Sequence, residues 1–126
     1  MPPVRVVIAS PVAALPKILL KSSYRELQNL TPVHAAAEIR TAVPQLRAQL
    51  AIVDLEVVTF SELADLCKEF PSTAFVCIHR LADDTMWTQA LAAGAVDCCL
   101  SADLRRILEN ADRYVAIKQA ETSTAA

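Results

Sequence analysis

The chain has 126 residues, 54% of them hydrophobic, and a formal charge of −2 at pH 7, which suits one domain over residues 1–119 followed by a polar tail or linker at 120–126. Charges break the apolar runs well short of the ~18 residues that a membrane span needs, and no basic field is available for nucleic acid. A single glycine excludes the glycine-rich loops that cradle nucleotide phosphates, because each requires several.

Residues 4–9 form a compact β-branched run that predicts a first strand. Ser10 and Pro11 close it, and Leu15, Ile18, Leu19 and Leu27 at helical spacings predict a helix reaching residue 30, delayed or bent by Pro16. Residues 31–36 are weakly strand-like. Residues 37–49, with Ile39, Val43 and Leu46 on one stripe, predict a helix that Pro44 interrupts or starts. A third strand at 50–55 leads to a helix at 61–70, capped by Ser61 and stopped by Pro71. The apolar run 73–78 predicts the fourth strand. A helix at 83–93 follows, capped by Asp83 or Asp84 and ended by Gly94 in a left-handed conformation. Residues 95–100 predict the fifth strand and 102–118 the last helix, with Leu104, Ile107, Leu108, Ala111 and Val115 on its core stripe.

Strict alternation of buried-looking strands with helices implies an α/β fold, a parallel sheet covered on both faces with right-handed crossovers. At this length the natural arrangement is a flavodoxin-like α/β/α sandwich with strand order 2-1-3-4-5. The absence of a signal peptide's basic region and cleavage site at Met1-Pro2-Pro3 suggests a cytosolic protein. Cys67, Cys77, Cys98 and Cys99 form no metal-binding or redox spacing and read as core-filling thiols, with Cys98 and Cys99 on opposite faces of their strand.

Asp54 is the residue best placed for chemistry, because a carboxylate directly after a parallel strand faces the crevice where such sheets bind ligands. The order and spacing of Val4 to Ile8, Ala51 to Leu55, Phe75 to Ile78 and Gly94 to Leu100 resemble the receiver domain of two-component response regulators, over residues 4–118. The resemblance implies a receiver-like, bacterial and cytoplasmic signalling module in which Asp54 holds the phosphoacceptor position. It also implies Mg²⁺ held by an acidic pair after the first strand, where this chain has Ala9 and Ser10. The family's phosphate-bonding hydroxyl is matched by His79, its lysine by Ser101 with Ala102 in place of proline, and its switch aromatic by Cys98.

The missing metal ligands, phosphate lysine and phosphate hydroxyl all serve one transition state, and Cys98 cannot perform an aromatic's switch. The expectation is a degenerate receiver, or pseudo-receiver, that acts through protein contact, with no metal, no cofactor and no enzyme activity. Two alternatives stand beside it: a working phosphoacceptor at Asp54 with Arg80 as an anion-contacting cation, and a small α/β enzyme using Asp54 and His79 in a deep closed pocket. Expected partners are a histidine kinase, an output domain or a second copy of the chain. They would dock on the face made by the fourth helix, fifth strand and fifth helix, where Trp87, Arg105 and Arg106 lie. Arg105, Arg106, Arg113 and Lys118 otherwise read as a solvated face, and His34 as an exposed residue.

Overall fold

Five apolar runs pair into one parallel sheet in the order β2-β1-β3-β4-β5, in a computed structural model that describes residues 5–10, 29–103, 105–107, 109, 110 and 113. The elements in chain order are β1 (Arg5–Ala9), β2 (Asn29–Val33), α1 (Ala36–Leu46), β3 (Leu50–Asp54), α2 (Phe60–Glu69), β4 (Ala74–His79), α3 (Asp84–Ala93) and β5 (Asp97–Leu100). Arg105, Arg106, Ile107, Glu109, Asn110 and Arg113 are helical. The helix expected to reach residue 30 lies outside the described residues over 11–28, and residues 29 and 30 belong to β2 instead; the end of the last helix with Lys118 and the tail at 120–126 also lie outside the described residues.

Side chains alternate between two cores, as the two-residue strand period requires. Val7, Ala9, Ala51, Val53, Phe75, Cys77 and Cys98 pack with Ile39 and Val43 of α1, Leu63 and Leu66 of α2, and Ala90 of α3. Val6, Ile8, Leu50, Ile52, Val76, Ile78 and Cys99 pack on the other face with Ile107. Burial on both faces explains why these strands read as nearly continuous apolar runs.

The expected strand order is the one observed, while several element ends move. The second strand begins two residues earlier than its composition suggested, because it pairs with β1 residue for residue from Arg5↔Asn29 to Ala9↔Val33. Pro32 is tolerated there because β2 is an edge strand. Pro44 neither starts nor interrupts α1 but sits in its last turn, and the helix ends at Arg47 in the left-handed region (φ 51). The cap of α2 is Thr59 and not Ser61: its side chain accepts from the Glu62 amide at 3.1 Å while the Glu62 carboxylate accepts from the Thr59 amide at 3.0 Å. Two orphan amides satisfied reciprocally outweigh one serine two positions on. Asp83 caps α3 through the Met86 amide at 2.8 Å.

Gly94 ends α3 at φ 111, and a Cβ there would lie 2.8 Å from Cys67 Cβ. Both the backbone angle and the approach of α2 demand glycine. Gly94→Ala is expected to cost about 2 kcal/mol in urea unfolding. A loss below about 0.5 kcal/mol would mean that the turn resets without strain.

Candidate functional site

The carboxyl ends of β1, β3, β4 and β5 bring Ala9, Ser10, Asp54, His79 and Ser101 to one edge of the sheet. Asp54 is buried at 3% exposure, and its Oδ1 accepts from the Glu56 amide at 2.8 Å. The turn after β3 is tied down by the Val57 and Val58 amides, which donate to the Asp54 carbonyl at 2.9 and 3.0 Å. Burial raises the Asp54 pKa above its ordinary value of 3.8. The Glu56 amide opposes the shift, the Glu56 charge adds to it, and the charges of His79 and Arg80 oppose it. Ala9 and Ser10 are buried at the end of β1.

Glu56 is the residue that the sequence reading missed, and it makes Asp54 one of two nearby carboxylates instead of the sole one. Its Oε1 lies 2.6 Å from Arg80 Nε and 3.8 Å from His79 Nε2. The Arg80 guanidinium, which the phosphoacceptor alternative would use as an anion contact, is engaged by this carboxylate across two loops. The available signal was spacing: a residue two positions past a strand-end aspartate sits in the same turn. The His79 Nδ1 accepts from the Leu81 amide at 3.0 Å, which turns Nε2 toward Glu56. Ser101 meets His79 through its amide, which donates to the His79 carbonyl at 3.1 Å.

A Mg²⁺ ion prefers an octahedral shell of oxygens with carboxylates among them. At the end of β1 the chain offers a methyl group and one hydroxyl where an acidic pair would be needed, and the nearby Glu56 carboxylate already holds Arg80 through Oε1. The residues present do not fit that ion. Among the described residues, no group of three or more His, Cys, Asp or Glu side chains is placed to hold a metal. Grooves of about 420, 380 and 360 Å³ lie at the amino end of the sheet, beside Trp87 and along α1, and none is lined by Asp54 or His79.

A second polar cluster gathers on β5. The Asp97 carboxylate accepts from Arg106 Nε and Nη2 at 2.9 and 2.8 Å, from Asn110 Nδ2 at 2.7 Å and from Trp87 Nε1 at 3.1 Å. Burial works to raise the Asp97 pKa, but the hydrogen bonds from Arg106, Asn110 and the Cys98 amide, with the Arg106 charge, outweigh it and lower the pKa. Arg106 is thus bound to the domain and is not simply part of a solvated face, whereas Arg105 is exposed and pairs with Glu109 at 3.1 Å. Trp87 is 43% exposed although its indole nitrogen is anchored. Cys98 and Cys99 are buried on opposite faces, and burial lifts the thiols of Cys77 and Cys98, and that of Cys99 to about 12. His34 is exposed.

No protein-family model matches the chain, and no curated protein matches its sequence. Solved structures do match. A response regulator from Thermotoga maritima superposes with a TM-score of 0.74 at 19% identity, over 91% of this chain and 99% of that one. The response regulator receiver domain protein from Methanospirillum hungatei JF-1 gives 0.73 at 19% identity, over 95% and 99%. NtrX from Brucella abortus, in complex with ADP, gives 0.78 at 13% identity, over 98% of this chain and 29% of that one. At these identities the likeness fixes the architecture: the chain has the fold of response regulator receiver domains.

The two buried carboxylates predict opposite pH behaviour. Asp97, with its pKa lowered, contributes stability above 3.8 that is lost as pH falls through its folded value. Asp54, with its pKa raised, favours the fold fully below 3.8, and that contribution is lost as pH rises through its folded value. In urea unfolding at neutral pH, Asp97→Asn should lose about 1–3 kcal/mol and Asp54→Asn should gain stability. Both differences should shrink toward acid, and the same sign for both variants would contradict the assignment.

Proposed function

We propose that the chain is a receiver-like signalling module that works through protein contact and without metal-dependent phosphorylation of Asp54. The observation that carries this reading is the composition of the crevice. Every group expected to compensate phosphoryl charge is replaced, by Ala9, Ser10, His79 and Ser101, and the added acid Glu56 is held by Arg80 at 2.6 Å. Phosphoryl transfer depends on charge stabilisation by such groups, so their joint replacement argues for a domain that binds.

The partner surface on this reading is the face of α3, β5 and the following helical residues. Trp87 and Leu100 are 43% and 46% exposed there, beside a groove of about 380 Å³ that Arg106 also lines. An indole fixed by its hydrogen bond to Asp97 loses little freedom on docking, as an interface anchor should. The partner is a histidine kinase, an attached output domain or a second copy, and the site of action is the cytoplasm. No helix among the described residues is long and apolar enough to cross a membrane. The domain itself takes no nucleic acid, consistent with its formal charge of −2.

The competing reading, a working phosphoacceptor, is favoured by the position of Asp54 at the end of β3. Titration with Mg²⁺ and fluoroberyllate separates the two. The amide spectrum should stay unchanged and intact-mass measurement after acetyl phosphate should show no adduct. An adduct absent from Asp54→Asn would overturn the binding-only reading. If the partner is a second copy, the chain should sediment as a concentration-dependent dimer that Trp87→Ala weakens about tenfold or more. A dimer indifferent to that change would move the interface elsewhere.

A further inference from the structure

We propose that the groove at the amino end of the sheet is a second binding site, for an acidic peptide segment of a partner protein. It lies where β1, β3 and β4 begin, at the opposite pole from Asp54, and Arg5, Arg47, Gln49, Phe70, Pro71 and Ser72 are among its walls. Its volume of about 420 Å³ falls within the range of ligand sites. The proposal is independent of how Asp54 functions.

Charge is the first ground. Arg5 Nε donates to the Arg47 carbonyl at 3.1 Å, which ties the two arginines to one lip of the groove. The carboxylate in the lining, Glu69, is already held by Arg40 Nε at 3.1 and 3.3 Å. Among the described residues, neither Arg5 nor Arg47 meets a carboxylate within ion-pair distance. Two arginines lining one groove with no carboxylate partner among the described residues make that lip positive.

The backbone at Arg47 is the second ground. It is the one non-glycine with positive φ among the described residues, at φ 51. A left-handed helix end strains a side-chain-bearing residue and costs glycine nothing, and the chain does use glycine at the end of α3. At the end of α1 it places arginine, an exposed residue that lines the groove and carries a guanidinium where glycine would carry none. Strained residues concentrate where a ligand is gripped.

Shape selects the occupant. Pro44, Phe70 and Pro71 are apolar walls for the carbon atoms of a peptide, and the Ser72 hydroxyl can bond its backbone, while Gln49 is tied to Arg5 through its own amide and its Oε1. The groove opens to solvent on one side, which suits an extended chain better than an enclosed small molecule. Guanidinium forks match the geometry of carboxylates.

Calorimetric titration of the full chain with a short peptide of alternating glutamate and alanine tests the site. Its glutamine counterpart and inorganic phosphate are run in parallel. The acidic peptide should bind, the glutamine peptide should not, and added salt should weaken the complex. Arg47→Gly keeps the left-handed cap, so its melting temperature should hold or rise while affinity falls about fivefold. Arg5→Gln should act in the same direction, and Asp54→Asn should leave binding unchanged. Equal binding of the glutamine peptide, or full affinity in Arg47→Gly, would overturn the proposal. Phosphate binding as tight as the peptide's would reduce the groove to an adventitious anion site only, and overturn it too.

Discussion

A parallel sheet covered on both faces has no room for polar side chains along its strands, so they collect at the strand ends, and this constraint governs the molecule. β3 is wholly buried from Leu50 to Asp54, and its carboxylate comes at the last position, where the sheet gives way to turns. The same constraint brings residues 9, 10, 54, 79 and 101 together although they are far apart in sequence. It also places the groove lined by Arg5 and Arg47 at the other end, where the strands begin.

Asp54 and Asp97 show two ways of burying a carboxylate. Asp97 collects hydrogen bonds from Arg106, Asn110 and Trp87, and Arg106 with Asn110 holds its charge against the cost of desolvation. Among the described residues Asp54 has one amide donor, from Glu56, and desolvation prevails. A saturated carboxylate fixes the position of its neighbours, which holds Trp87 rigid at the surface. An under-supported one at a crevice has capacity left for another partner, and Glu56 and Arg80 close over the same turn through their own ion pair.

Much of this was legible from the residues alone. β-branched runs at regular intervals, separated by helical stripes, are local signals, and they predicted five strands and their order. Asp54 was legible as a strand-end carboxylate for the same reason, and Gly94 as a helix terminator. The misplaced boundaries had local causes too. Thr59 with Glu62 is a capping box whose spacing was present in the sequence, while the start of β2 was set by pairing with β1, which composition does not report.

The sequence by itself therefore determined the layered α/β fold and the place of Asp54, because both follow from short-range periodicity and from where an apolar run ends. Tertiary structure alone decided that Arg80 belongs to Glu56, that Arg106 belongs to Asp97, and that Arg5 and Arg47 share a groove. Those meetings depend on how strands align side by side and how loops from different crossovers converge. A charge in a sequence has no partner until the sheet brings one within reach.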